Sequence, residues 1–344
     1  MSGAGERAAA GPVGVVGLGL VGGSLARLLA ARGVDVVATD VDARTRADAR
    51  AVGLRVADDL AGLCAAGPDV VVLAVPLRAV RATAAELAPL LGDDVTVTDV
   101  GSVKGPVRAA VAAAGLGDRY VGAHPMAGTE HSGFAASDAG LLDGAPWAVT
   151  VAEPGAGAPG EPRRLAHVLR LVTGPLAGTA AVVTDDRHDE AAALVSHVPH
   201  VLATQLLNAV AGAPVRDLAL GLAAGSFRDG TRVALTDPAR TEAMVTENAA
   251  WVAPALRKAV RDLEVVIGAL ETNGSLHDVF HAADDVRELR AGGRARPSGP
   301  EELLPTGSGG TWTPALVDEL VARCTAGAVV VGVDDDAVRV RGPR

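Results

Sequence analysis

The hydrophobic pattern begins with a short apolar run, Val13-Gly14-Val15-Val16, long enough for one buried strand. Ser24 to Ala31 follows at helical spacing, and Asp35 to Thr39 reads as a second strand. Ala43 to Val52 predicts a helix. Asp69 to Val75 is a β-branched run stopped by Pro76, the mark of a strand buried on both faces. Leu77 to Leu91 is amphipathic, with Val80, Ala84, Leu87 and Leu91 on one face. Val95 to Asp99 predicts a strand. Pro106 to Ala114 predicts a helix with its proline suited to the first turn, and Tyr120 to Ala123 another strand. Trp147–Val151 and Ala181–Thr184 add two strands either side of a helix near Arg164 to Val172. This alternation predicts an α/β domain with a doubly wound sheet over residues 1–185.

From about Asp186 the strand patterns stop. Ala191, Leu194, Val195, Val198, Leu202, Leu206 and Ala209 fall at helix spacing, with Pro199 inside the run as an expected kink. Thr241 to Leu270 predicts one long helix, and Leu276 to Arg290 a third. Residues 186–292 are therefore expected to form an all-α domain, and its broad apolar faces predict a homodimer. A closed monomeric bundle is the competing reading. Residues 292–312 are rich in Gly, Pro and Ser and read as a linker. The tail predicts a helix, Pro314 to Cys324, and strands Ala328–Val333 and Ala337–Val340. Residues 293–344 are thus expected to be a linker and a short tail, packed on the helical domain or on a neighbouring subunit.

Composition narrows the function. A net charge of −10 argues against a nucleic-acid partner, which favours a basic face. Aromatics are 2% of the chain, so the core must be built from Ala, Val and Leu. Two cysteines, Cys64 and Cys324, make no disulfide framework and fit a reducing compartment. The first residues lack a signal-peptide core, and no apolar stretch is long enough to span a bilayer. The expectation is a cytoplasmic protein with no membrane contact.

Gly17, Gly19 and Gly22 stand in G-x-G-x-x-G spacing between the first strand and the first helix. Among 42 glycines the spacing alone is weak. With the flanking strand and helix and with Asp40 ending the next strand, it predicts a Rossmann-type dinucleotide site. Gly17 permits the turn, Gly19 lets the backbone approach a pyrophosphate, and Gly22 lets the helix pack close. The helix N-terminus offers unpaired N–H groups to the phosphates. Asp40 suits the ribose hydroxyls of NAD and would repel the extra phosphate of NADP, although Arg44 and Arg46 nearby leave that preference open. Leu20, Val75 and Ser102 complete the expected cofactor contacts. Such folds bind ligands outside the carboxyl ends of their strands, and three strand ends here carry chemistry: the Gly17 loop, Ser102 and His124.

Five stretches together resemble the prephenate/arogenate dehydrogenase family of tyrosine biosynthesis. They are Gly17-Leu18-Gly19-Leu20-Val21-Gly22-Gly23-Ser24, Asp99-Val100-Gly101-Ser102-Val103-Lys104, His124-Pro125-Met126-Ala127-Gly128-Thr129-Glu130-His131-Ser132-Gly133, Ser196-His197-Val198-Pro199-His200, and Phe227-Arg228-Asp229-Gly230-Thr231-Arg232-Val233-Ala234 with Asp237-Pro238. They stand in the family's order over roughly residues 13 to 290. The resemblance implies an NAD-dependent prephenate dehydrogenase, which removes hydride from the substrate ring and releases CO2 to give 4-hydroxyphenylpyruvate. Arogenate as substrate, with NAD or NADP, is the alternative, and a non-catalytic NAD sensor a more distant one.

By resemblance, His124 accepts the proton of the substrate's ring hydroxyl, a task suited to a neutral imidazole. Ser102 hydrogen-bonds that histidine and the hydroxyl; read alone, it is a helix cap. Arg232 grips a substrate carboxylate. Glu130 and Asp229 gate the entrance through ion pairs, and Ser196, His197 and His200 border the substrate pocket. Read alone, these are solvated carboxylates and core or interface histidines. Lys104 receives no assigned role. His188, Asp189, His197 and His200 suggest a metal site only weakly, because no metal-binding motif spacing is present, and no metal is expected. A 3-hydroxyacid dehydrogenase would carry a lysine between Asp189 and Ala213, and none is there.

Overall fold

The computed structural model describes residues 12–153, 161–291 and 297–343. Strands β1 (Val13–Val16), β2 (Val36–Thr39), β3 (Val70–Leu73) and β4 (Thr96–Asp99) form a parallel sheet in the order β2-β1-β3-β4. Every residue of these four strands is buried, because helices cover both faces. The crossovers are α1 (Leu20–Ala31), α2 (Ala43–Ala51), α3 (Leu60–Ala65), α4 (Val80–Leu87) and α5 (Gly105–Ala113). A second, mixed sheet runs on from β4. It contains β5 (Gly122–Pro125), β6 (Pro146–Val151) and β7 (Thr179–Thr184), with α6 (Glu161–Thr173) connecting the last two. The Val121 amide donates to the Val97 carbonyl at 3.0 Å and joins the two sheets. The doubly wound half is as expected; the antiparallel β5–β6 pair turns the second sheet mixed.

Burial of Val, Leu and Ala dominates the core, each full-sized aliphatic side chain contributing roughly 1.5–3 kcal/mol. The four large aromatics in it, Tyr120, Phe134, Trp147 and Trp312, are all buried.

The helical region starts at α7 (Asp185–Ala192). The expected kink at Pro199 takes the form of a five-residue π-helical turn, Ala193–His197, before α8 (Val198–Ala211). Proline donates no amide hydrogen, so the preceding turn widens. Then come α9 (Arg216–Leu222), α10 (Gly225–Thr231), α11 (Pro238–Glu247), α12 (Ala249–Glu271), α13 (His277–His281) and α14 (Asp284–Ala291). The single helix expected over Thr241–Leu270 is broken at Asn248, whose side chain is drawn inward to other partners. The helix expected over Leu276–Arg290 is two short ones. In α12 only Val252 is buried, while Leu263 and Ile267 are more than half exposed.

The tail departs most from expectation. The segment read as a linker contains β8 (Glu301–Pro305), and it is followed by α15 (Pro314–Thr325), β9 (Val329–Val333) and β10 (Ala337–Arg341). These strands extend the mixed sheet in the order β5-β6-β7-β9-β10-β8. The tail therefore packs on the α/β unit, not on the helical region. Leu304, Trp312, Leu316, Leu320, Val330 and Val338 carry it into the main core. No helix among the described residues is long and apolar enough to cross a membrane.

Candidate functional site

The glycine loop has the shape its spacing predicts. Gly17 has φ +97°, and a Cβ there would meet the Ala74 carbonyl oxygen at 2.5 Å. At Gly22 a Cβ would stand 2.0 Å from the Gly17 carbonyl oxygen, so α1 packs directly on the loop. Gly19 faces open space, with nothing within 4 Å of a Cβ. It precedes α1, whose N-terminus has no side-chain cap and no acidic residue in its first turn. Leu20 opens that helix, and Val75 lies just beyond β3. Asp40 accepts the Leu18 amide at 2.7 Å and the Asp42 amide at 2.9 Å. Its carboxylate is thereby fixed beside the loop, with acceptor capacity left over. These features fit a dinucleotide: an open glycine, free N–H groups and a fixed carboxylate.

Beyond the loop, β4 and β5 end side by side and deliver Asp99 and His124. Asp99 is buried under four donors. Tyr120 donates at 2.8 Å, the Ala123 amide at 3.1 Å, the Gly101 amide at 2.8 Å, and the Lys104 ammonium closes an ion pair. Lys104 also donates to the Ala123 carbonyl at 2.8 Å. Burial pulls the Lys104 ammonium below its usual range, and Asp99 opposes that shift. Burial pushes the Tyr120 phenol well up, reinforced by the neighbouring carboxylates. Lys104 thus locks the loop bearing Ser102 to the strand bearing His124, and it does not face the cofactor loop.

His124 as a residue is only partly buried. Its Nδ1 lies 3.0 Å from His188 Nε2, and His188 Nδ1 lies 2.7 Å from Asp189 Oδ1. Asp189 also accepts the Lys104 and Gly105 amides, at 2.8 and 2.9 Å. Its carboxylate, from α7, therefore caps the N-terminus of α5. Burial holds His124 well below the ordinary histidine value of 6.5, with His188, Lys104 and His197 adding to the shift. His124 is accordingly neutral near pH 7.

Ser102 departs from expectation twice. It forms no hydrogen bond with His124, whose ring goes to His188, and it does not cap α5, because Asp189 does. His197 is fully buried and accepts from Asn248 at 2.9 Å, while Asn248 also donates to the Asp189 carbonyl at 2.8 Å. Burial lowers His197 to about 4, against an opposing pull from Asp189. His200 turns back, its Nδ1 2.8 Å from the Ser196 carbonyl. His197 therefore belongs to the His188–Asp189 cluster, whereas Ser196 and His200 are half-buried on the same stretch of helix.

Arg232 lies outside this network. It is exposed in the turn after α10, which packs on α8, and it pairs with no carboxylate among the described residues. Glu130 is exposed without an ion pair among the described residues, and Asp229 pairs only with its neighbour Arg228, at 3.3 Å in solvent. The gating ion pairs expected of them are not formed. The helical region does meet the α/β loops at α11, where Arg78 donates to Glu242 at 3.0 Å.

Nothing local in the sequence marks Asn248, and His188 and Asp189 stand out in it only as weak metal ligands. One signal was available: an adjacent His-Asp pair opening the helix after the last strand of the unit. The Arg108–Asp185 ion pair, backed by Thr150 at 2.6 Å, was likewise unforeseen and pins the start of α7 to the sheet.

The family model for the prephenate dehydrogenase nucleotide-binding domain matches residues 25–183, and the one for the prephenate dehydrogenase dimerization domain matches residues 184–281. The chain is 35% identical over 258 residues to the cyclohexadienyl dehydrogenase of Zymomonas mobilis, covering 73% of this chain and 86% of that protein. Among solved structures it resembles the prephenate dehydrogenase of A. aeolicus in complex with hydroxyphenyl propionate and NAD+. That match has a TM-score of 0.74 and 29% identity, over 83% of this chain and 99% of the other. The Synechocystis arogenate dehydrogenase is similar with a TM-score of 0.68 and 30% identity, over 80% and 99% of the two chains.

Proposed function

Because the chain belongs to the prephenate dehydrogenase family, we propose that it oxidises prephenate with NAD, releasing CO2 and 4-hydroxyphenylpyruvate. The observation that carries the reading is a neutral His124 at the end of β5, one strand from Asp99 and beyond the open glycine loop. NAD, held by Gly17, Gly19, Gly22, the α1 N-terminus and Asp40, would accept the hydride leaving the substrate ring. His124 takes the proton of the ring hydroxyl as that hydride leaves. The Asp99–Lys104 pair keeps β4 and β5 in register so that the imidazole does not drift. Arg232 and His200, on elements packed against one another, hold substrate carboxylate, and Ser102 borders the reacting ring.

Two observations favour NAD over NADP. Asp40 ends β2 with its carboxylate fixed beside the glycine loop, a charge that would repel a 2′-phosphate, and Arg46 is turned onto the carbonyls of Asp40 and Val41, at 2.6 and 3.0 Å. The matched dimerization domain and the exposed apolar side of α12 support a homodimer built through the helical region; a monomer mass by light scattering would remove that part. Likeness to the Synechocystis enzyme favours arogenate as the second reading.

One assay separates these readings: absorbance of the reduced cofactor with prephenate or arogenate, each with NAD or NADP. Turnover is expected with prephenate and NAD. Preference for arogenate would select the second reading, and no turnover by folded, NAD-binding protein would overturn both. In the same assay Arg232→Ala is expected to raise KM through loss of a charge-assisted hydrogen bond of about 1.5–3 kcal/mol. An unchanged KM would place the carboxylate elsewhere.

A further inference from the structure

We propose that His188 and Asp189 form a positioning relay behind His124, which selects the ring nitrogen that faces the substrate. The inference rests on His124 being the proton acceptor of the reading above. It follows from counting donors and acceptors along the chain of bonds.

Asp189 is an acceptor already holding two backbone amides, so the group 2.7 Å away on His188 Nδ1 is a donor. His188 is 4% accessible, and its two ring nitrogens are both engaged. With its proton on Nδ1, a neutral His188 offers only a lone pair at Nε2. The facing Nδ1 of His124, 3.0 Å away, must then carry hydrogen. The proton of a neutral His124 is thereby committed, and its Nε2 is left with the lone pair. That nitrogen makes no hydrogen bond among the described residues, and it is the atom that receives the hydroxyl proton.

The relay also bears on the charged form. When Nε2 takes a proton, the positive ring donates from Nδ1 to a histidine backed by a carboxylate, a charge-assisted arrangement. That hydrogen bond works against the depression of His124, to which burial and the repulsion of a charged His188 both contribute. The other charged or titratable groups facing His124 are Lys104, whose ammonium is paired with Asp99, and His197, whose Nδ1 accepts from Asn248. Neither touches the His124 ring. The relay is held at both ends. Asp189 is tied to the start of α5, and the neighbouring residue Asn248 binds the Asp189 carbonyl.

Selectively ¹⁵N-labelled histidine tests the proposal in the intact protein, with the His124 signals identified by their loss in His124→Asn. At neutral pH the wild type is expected to show His124 protonated at Nδ1 and bare at Nε2. In His188→Leu the fixed tautomer should give way to a mixture. There kcat is expected to fall about 10–10³-fold, as when a base loses its orienting partner. KM for NAD should hold. His188→Gln, whose side-chain carbonyl can stand in for Nε2, should recover most of the rate. Wild-type His124 bare at Nδ1 would overturn the relay, as would an unchanged tautomer in His188→Leu. If the protein turned over neither substrate, the functional reading would fall, and the tautomer measurement alone would still decide the relay.

Discussion

His124→Asn is expected to lower kcat by roughly 10²–10⁴-fold while leaving NAD affinity intact, the usual loss when an acid–base group is removed. Asparagine keeps an amide near the position of Nδ1 and so can still reach His188, but it has no basic nitrogen to take up a hydroxyl proton. The variant therefore separates holding the network together from accepting the proton. Calorimetric titration with NAD and steady-state rates on the same preparation check it. A kcat within a few-fold of wild type would remove His124 from the chemistry. The wild-type pH profile carries a signed expectation of its own. Catalysis needs the neutral ring, and burial holds the ring's proton affinity well below the ordinary 6.5. The acid limb of kcat should therefore lie below that value, and a limb above it would contradict the electrostatics of the site.

Lys104→Ala is expected to destabilise the fold by about 3–5 kcal/mol, the range for removing one partner of a buried ion pair. The Lys104 side chain is inaccessible, and so is Asp99 to within 1%. Without the ammonium, Asp99 keeps one hydroxyl and two amide donors but has no compensating cation, and the Ala123 carbonyl loses its partner. Denaturant unfolding should show a lower midpoint with an unchanged slope. Replacing both members, Lys104→Met with Asp99→Leu, should recover part of the loss, because the uncompensated charge is then gone. A single-variant loss below about 1 kcal/mol, the worth of a surface pair, would mean that the pair is solvated in the working protein.

The parts legible in the sequence are those set by local rules. The apolar runs of β1, β3 and β4 need no distant information, because both faces of each strand are buried. The roles of Gly17, Gly19 and Gly22 follow from backbone geometry within one turn, and the structure returns them as a close approach, an open face and a close approach. What could not be read locally was partnership across the chain. Asp189 caps a helix that begins at Gly105, and no spacing rule connects them. Ser102 reads as that cap because a serine before a helix ordinarily provides it. Asn248 breaks a helix whose apolar periodicity continues on both sides, since the signal for the break lies in what its amide reaches and not in its neighbours. The segment around β8 reads as a linker because Gly, Pro and Ser flank it, yet the five residues between them find a sheet edge to join.

That returning tail has a bearing on how the chain acquires its fold. Ala180 of β7 is paired with Val330 of β9, and the whole helical region lies between them in sequence. As the chain emerges from the ribosome, β7 is made with one flank unpaired and stays so until the final strands appear. Such an edge can template unwanted pairing with another chain. Closure also requires bringing together two distant stretches of chain, an entropic demand that slows folding. The last strands are therefore the latch of the sheet, and the interval before they engage is when a nascent chain is most exposed to aggregation, whatever its active site can do.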